Sequence, residues 1–339
     1  MNATMSLESV KHYPVMLDTV LSIISPQHGG MFIDCTFGGG GYSKEILKFS
    51  NTKVIGIDRD DLSERYAKKI EKQFPDRFKF FQNKFSNLKE IIKLNDNPRA
   101  IIFDLGLSSF QIADSRRGFS FKSKGPLNME MGRNSCSVYD VVNKLDGKDL
   151  TKIIKVLGEE KDGRKIANQI IKTRSKKPIQ YTNELVSIIK NVKKDYKKFK
   201  RHPATKTFQA LRIFVNKELT ELINGLCEAT SLLKEDGILV VVNFHSLEDR
   251  IVKGFFKFYS NSNQNPSRYI PKNNISKNSD LFKRTTKKPL KPDEKEISNN
   301  IRSRSAKLRF GVRNNNLIST CKEIKRKFEN YLKIEEIRV

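Results

Sequence analysis

The sequence predicts an α/β fold, an open and mostly parallel sheet interrupted by an inserted helical domain. Three observations predict it. Short apolar runs ending in Gly or Asp alternate with amphipathic segments through the first 106 residues. Strand character then vanishes for about 130 residues, far more than one crossover connection needs. A fifth apolar run finally resumes the pattern at 237–246.

The strands read in order as MFIDC (31–35), KVIGID (53–58), RFKFFQ (77–82), AIIFDLG (100–106) and GILVVVNFHS (237–246). Helical segments such as Leu62 to Phe74 separate them, which implies parallel pairing. The spacing places a discontinuous sheet domain at 1–113 and 206–313, an inserted helical domain at 114–205, and a basic helical tail at 314–339. The return to the sheet runs through a helix near 206–224. Within the insert, Leu185, Ile188, Val192, Tyr196 and Phe199 share one helical face, and Thr182 is placed to cap that helix. Lys190, Lys193, Lys194, Lys197 and Lys198 cover its other faces. The Asn/Ser-rich stretch 261–280 reads as a loop. FKRTTKKPL (282–290) and SAKLRFGVR (305–313) read as a pair of edge strands.

Charge narrows the partner. Lys plus Arg number 65 against 38 acids, a net charge of +27. A basic surface gains affinity from each counterion it releases from a polyanion, so nucleic acid is the expected partner. Codon bias accounts for Lys over Arg but not for the shortage of acids. Residues 161–206 hold fifteen of the basic residues and three acids, so the insert carries much of the excess. The bland alternative is a solvated helix face.

The four cysteines, Cys35, Cys136, Cys227 and Cys321, form no close pair. That spacing argues against metal and disulfide frameworks and for a reducing compartment. The first dozen residues lack a signal-peptide or transit-peptide pattern. No apolar run reaches about 18 residues, so no membrane span is expected. These readings place the protein in the cytoplasm.

The most informative segment is DCTFGGGGYS (34–43). Glycines directly after a strand let the backbone turn tightly and approach a ligand. Asp58, at the end of the next strand, stands where a nucleotide-binding sheet holds ribose hydroxyls. Asp104 ends the fourth strand, facing the same crevice; it can bind a cofactor, orient a reacting amine, or cap a turn. Gln111 lies one short loop away. Phe85, after the third strand, suits either an adenine face or the core. Asn243 and His245 end the fifth strand, and Ser246 with Asp249 reads as a capping pair opening a helix. On the helix at 202–219, Gln209, Arg212 and Asn216 form a polar stripe that can read a base edge or simply meet solvent.

Nine strings extend these segments: HYPVMLDTVL (12–21), IDCTFGGGGYS (33–43), GIDRD (56–60), FDLGLSSFQ (103–111), RGFSF (117–121), GPLNMEM (125–131), HPATKTFQALRIFVNKEL (202–219), NFHSLEDR (243–250) and RSRSAKLR (302–309). In sequence and order they resemble the RsmH (MraW) family of bacterial rRNA cytosine-N4 methyltransferases. The resemblance implies a class I (Rossmann-like) S-adenosyl-methionine-dependent methyltransferase sheet with a helical insert. It implies S-adenosyl-methionine as cofactor, no metal, and small-subunit rRNA or the small ribosomal subunit as partner. The implied target is a cytidine in the decoding region. Cofactor contacts carry over to Gly40, Gly41, Tyr42, Asp58, Phe85, Asp104 and Gln111. Three departures stand out: Tyr42 replaces the usual His, Lys124, Asn128 and Glu130 alter the GPLDMRM pattern, and Asn243 replaces a common Ser.

The cytosine amine is a weak nucleophile, whereas a sulfonium methyl is already activated. Positioning contributes on the order of 7–11 kcal/mol, and general-base help about 10²–10⁴-fold. Asp104 is therefore expected to orient the amine, with His245 a lesser candidate. Gln209, Arg212, Asn216 and Asn243 are the candidate substrate contacts. The target base has to be unpaired or flipped to reach a sheet edge. Three rivals remain: a DNA amino-methyltransferase, whose Pro-Pro-aromatic element LGLSS lacks; a dinucleotide-dependent oxidoreductase; and a non-catalytic ribosome-binding factor.

Overall fold

A computed structural model of the chain describes residues 13–93, 96–132, 134–193, 201–260, 280–317 and 321–339. In chain order it begins with α1 (Leu17–Ile24), β1 (Gly30–Asp34), α2 (Gly41–Ile46), β2 (Thr52–Asp58) and α3 (Ser63–Gln73). Next come β3 (Phe78–Gln82), α4 (Leu88–Ile91), β4 (Ala100–Asp104) and α5 (Ser109–Ala113). The helical stretch holds α6 (Val138–Lys144), α7 (Gly147–Lys152), a π-turn over Ile153–Leu157, α8 (Gly163–Arg174), α9 (Thr182–Val192), α10 (Thr205–Asn216) and α11 (Glu218–Leu232). The chain closes with β5 (Ile238–Asn243), α12 (Ser246–Phe258), β6 (Phe282–Thr285), α13 (Glu294–Asn299), β7 (Lys307–Arg313), α14 (Lys322–Lys327) and α15 (Glu329–Glu335).

The described chain falls into two compact units. A sheet unit takes residues 11–106 and 221–327, and a helical unit takes 107–220 and 328–339. These limits differ from those read from the sequence. The helix expected to rejoin the sheet, α10, packs on the π-turn and α6 and belongs to the helical unit. The end of the tail, α15, packs on α10 and belongs there too.

The seven strands run in the order β3-β2-β1-β4-β5-β7-β6. The first five are parallel and β7 is antiparallel to both neighbours, the sheet expected for a class I methyltransferase. β6 and β7 pair antiparallel as expected, with β6 at the edge and β7 between β5 and β6. The central strands β1, β4 and β5 are apolar on both faces, as a sheet covered on both sides requires, whereas the edge strand β3 exposes Lys79 and Phe81. Phe32, Val54, Phe78, Ile102, Val240 and Val242 pack on one face against Leu17, Val20 and Ile24 of α1 and Tyr42 and Ile46 of α2. Ile33, Ile101, Phe103, Leu239 and Val241 are buried on the other. Truncating a fully buried Phe such as Phe32 to Ala costs about 3–5 kcal/mol.

Three local expectations are corrected. Cys227 of α11 is disulfide-bonded to Cys321, ninety-four residues away (sequence separation 94); spacing along the chain says nothing about a contact made by folding. Tyr181, not Thr182, precedes the first turn of α9, and Thr182 Oγ1 instead donates to the Ser123 carbonyl at 2.7 Å. His245, not Ser246, caps α12. Tyr196, Phe199, Lys194, Lys197, Lys198 and nearly all of the 261–280 loop lie outside the described residues. Among the described residues no helix is long and apolar enough to cross a membrane.

Candidate active site

Three adjacent strands, β2, β1 and β4, each end in an aspartate: Asp58, Asp34 and Asp104. Ligands in open parallel sheets bind beyond these carboxyl ends. Asp34 is fully buried and accepts from Ser43 Oγ at 2.8 Å and from the Thr36 N–H at 3.4 Å. Burial pushes its carboxyl up to about 6. Asp58 accepts the Gly38 N–H at 2.7 Å through Oδ2 and the Asp60 N–H at 2.9 Å through Oδ1. Burial raises it as well, against those hydrogen bonds. Asp104 is raised well above the carboxylate range, first by burial and then by Asp34, Glu248 and Glu296. Its N–H donates to Thr36 Oγ1 at 2.6 Å, while its buried Oδ1 has no partner among the described residues. A carboxyl in that condition is available to a ligand group that offers a proton or a positive charge.

The glycine turn fills the space between β1 and α2. Gly40 sits at φ 76°, and a Cβ there would lie 2.5 Å from Ile70 Cδ1 and 2.7 Å from Phe37 Cζ. Its glycine is a packing requirement. A Cβ on Gly39, by contrast, would meet nothing within 4 Å. The turn is anchored to β2 through the Gly38–Asp58 bond, so glycine backbone and acid form one rigid piece.

The remaining sheet-unit candidates divide by environment. Tyr42 is buried and its hydroxyl donates to the Val15 carbonyl, so its side chain belongs to the core and only its backbone can meet a ligand. Phe85 packs edge-on against Phe103, 5.2 Å between centroids, and occupies the space a Cβ on Gly225 would need. Asn243 is fully buried with neither carboxamide atom paired among the described residues. His245 Nδ1 accepts the Glu248 N–H at 3.3 Å, and Glu248 Oε2 accepts the Phe244 and His245 N–H groups at 2.8 and 3.2 Å. His245 Nε2 lies 3.1 Å from Glu248 Oε1 without an aligned hydrogen bond. Asp249, read from the sequence as a capping partner, binds Lys307 and Arg309 of β7 at 2.8 Å each.

In the helical unit Gln111 completes a capping box, its Oε1 accepting the Ser108 N–H at 2.9 Å. The polar stripe on α10 is mostly engaged. Arg212 makes a two-pronged ion pair with Glu218, both contacts 2.8 Å. Asn216 is buried and bonds Met129 and Met131 of the GPLNMEM segment. The Gln209 side chain, inside α10, makes no hydrogen bond among the described residues. Lys193 is nearly buried in an ion pair with Glu160, so it is not part of an open basic face.

Sequence reasoning missed Asp34, Ser43 and Glu248 as parts of this edge. The signal for Asp34 was present, since it ends its strand as Asp58 and Asp104 end theirs. Ser43 and Glu248 gave none, because their roles follow from folding.

Residues 9–313 match the family model described as the MraW methylase family. The chain is 44% identical over 302 residues to the ribosomal RNA small subunit methyltransferase H of Ehrlichia canis (strain Jake), covering 88% of this chain and 98% of that protein. It is 42% identical over 314 residues to the protein of the same name from Afipia carboxidovorans, covering 92% and 93%. A third such protein, from Rickettsia bellii, is 43% identical over 300 residues, covering 88% and 97%.

Proposed function

Because this chain belongs to the MraW methylase family, we propose that it transfers a methyl group from S-adenosyl-methionine to N4 of a cytidine in the decoding region of small-subunit rRNA. The observation that carries this reading is the carboxyl edge of β2, β1 and β4, where a glycine turn and three raised aspartates converge. Its substrate is free small-subunit rRNA or the small ribosomal subunit, and its place of action is the cytoplasm.

The residues present fit the cofactor. The open side of Gly39 leaves room for a ligand against the backbone. Asp58 spends one lone pair of each oxygen on a backbone N–H and keeps others for ribose hydroxyls. Asp104 offers an unpaired oxygen in a buried setting. Gly40, Gly41 and Tyr42 would contribute backbone, and Phe85 its ring. Bound, S-adenosyl-methionine supplies an electrophilic methyl.

The chain's own contribution is positioning. Asp104 orients the target amine and accepts a hydrogen from it; this role requires the ionised carboxylate, which burial and then the like charges of Asp34, Glu248 and Glu296 oppose and a nearby cation would favour. His245, held as a helix cap, is the lesser candidate for receiving the proton. Gln209 and Asn243 are the substrate contacts whose polar atoms are least engaged, whereas Arg212 and Asn216 act by holding the helical unit in shape.

The test is methyl transfer from labelled donor to small subunits from cells lacking the protein. Asp104→Ala should abolish turnover while the fold persists; normal turnover would remove Asp104 from the mechanism. Calorimetry should detect S-adenosyl-homocysteine and not NADH, and the opposite result would select the oxidoreductase reading.

A further inference from the structure

The helical unit presents two exposed tyrosines on either side of one fixed segment. Tyr139 and Tyr181 are each 37% exposed. The segment between them is the GPLNMEM stretch. Leu127 accepts the Tyr139 N–H at 2.6 Å and donates its own N–H to Gln180 at 3.1 Å. Pro126 bridges antiparallel to Tyr181, and the Thr182 N–H donates to Gly125 at 2.9 Å. Both tyrosines are thus attached through their backbones to adjacent residues of one segment, Tyr181 to Pro126 and Tyr139 to Leu127. Asn143 bonds both the Tyr139 and Ile179 carbonyls at 2.9 Å, which fixes the two sides together.

Charge around the rings is one-sided. Lys124 lies over the Tyr181 ring with Nζ 4.5 Å from its centroid. Lys122, Lys124, Lys176 and Lys177 are exposed. The neighbouring acids are engaged: Asp140 binds Ser137 and Lys144, and Glu184 accepts the N–H groups of Gln180 and Tyr181. Exposed aromatic faces set among uncompensated lysines match single-stranded nucleic acid, whose bases stack on rings while its phosphates meet the cations.

We propose that Tyr139 and Tyr181 form a stacking platform for unpaired RNA bases, with Lys122 and Lys124 meeting the adjoining phosphates. The inference rests on the RNA substrate proposed above and assigns the surface that grips nucleotides flanking the target.

The experiment titrates the full chain with a short, fluorescein-labelled single-stranded oligocytidylate, with mixed-sequence RNA duplex and polyglutamate as competing probes. The double variant Tyr139→Ala with Tyr181→Ala should weaken single-strand binding about tenfold per ring removed. The slope of log affinity against log salt should not change. The double variant to Phe should bind as wild type. Lys124→Ala should reduce the salt slope by about 0.7. The chain has no tryptophan and nine tyrosines, so the share of tyrosine quenching lost between wild type and the Ala variant reports on these two rings. Unchanged thermal unfolding and unchanged S-adenosyl-homocysteine binding keep the comparison clean. Equal affinity of wild type and the Ala variant would overturn the platform, as would an equal loss on duplex or polyglutamate. A wild type that binds the oligonucleotide through its tyrosines yet never takes up S-adenosyl-homocysteine would instead overturn the methyltransferase reading alone.

Discussion

Asn216 brackets Met129. Its Nδ2 donates to the Met129 carbonyl at 2.8 Å and its Oδ1 accepts the Met131 N–H at 2.7 Å. Met129 itself sits at φ 57°, a left-handed conformation that a non-glycine side chain resists. The clamp holds the GPLNMEM segment in a shape its own residues do not favour.

Asn216→Ala should therefore destabilise the protein by about 1–3 kcal/mol, the cost of leaving buried backbone groups unpaired. Chemical denaturation measures it. S-adenosyl-homocysteine binding, which depends on the sheet unit, should persist in the folded variant, and methyl transfer should fall.

Two neighbouring glycines should behave differently. Gly40→Ala forces a Cβ into Ile70 and Phe37 at a left-handed position, a cost of about 1–3 kcal/mol from overpacking alone. Its unfolding midpoint should drop. Gly39→Ala meets no protein atom and should unfold as wild type, yet weaken S-adenosyl-homocysteine by tenfold or more in calorimetry. An unaffected affinity would show that the ligand avoids the open side of that turn.

Stability should also fall as pH rises from about 4 to about 6. The folded Asp34 carboxyl titrates near 6 against an ordinary value of 3.8. Between those values the folded state holds the proton more tightly than the unfolded chain, so folding is favoured most at the acid end and the advantage is lost as the folded group ionises. Asp34→Asn should flatten this part of the stability profile. The amide keeps an acceptor for Thr36, and the Ser43 hydroxyl can turn to accept from it.

The tail should matter as well. Glu335 of α15 is buried and accepts the Leu219 N–H at 3.0 Å and the Thr220 N–H at 2.8 Å, satisfying the first donors of α11. Glu335→Ala should cost about 0.5–2 kcal/mol, as loss of a helix cap does, and removal of residues 328–339 should cost at least as much. Thermal unfolding of the two variants checks this.

Much of the sheet was legible because parallel strands write themselves as apolar runs that stop at Gly or Asp. MFIDC is β1 shifted by one residue, and KVIGID lacks only the first residue of β2. The acid at each strand end was legible for the same reason. What the sequence hid were partnerships made across the fold. Arg212 looked like a free guanidinium on a stripe, but the chain reverses at Lys217, φ 50°, and brings Glu218 back onto it. Lys193 looked like one lysine of a basic face until Glu160 claimed it. His245 took a cap usually held by Ser because an imidazole nitrogen can accept an N–H as a hydroxyl does.

Ala100 pairs with Ile238, so the strand that completes the parallel sheet is made only after the whole helical stretch has been synthesised. Until then the outer side of β4 is a bare hydrogen-bonding edge. A nascent chain stalled before β5 would expose Ile101, Ile102 and Phe103 to its neighbours, and such fragments should self-associate.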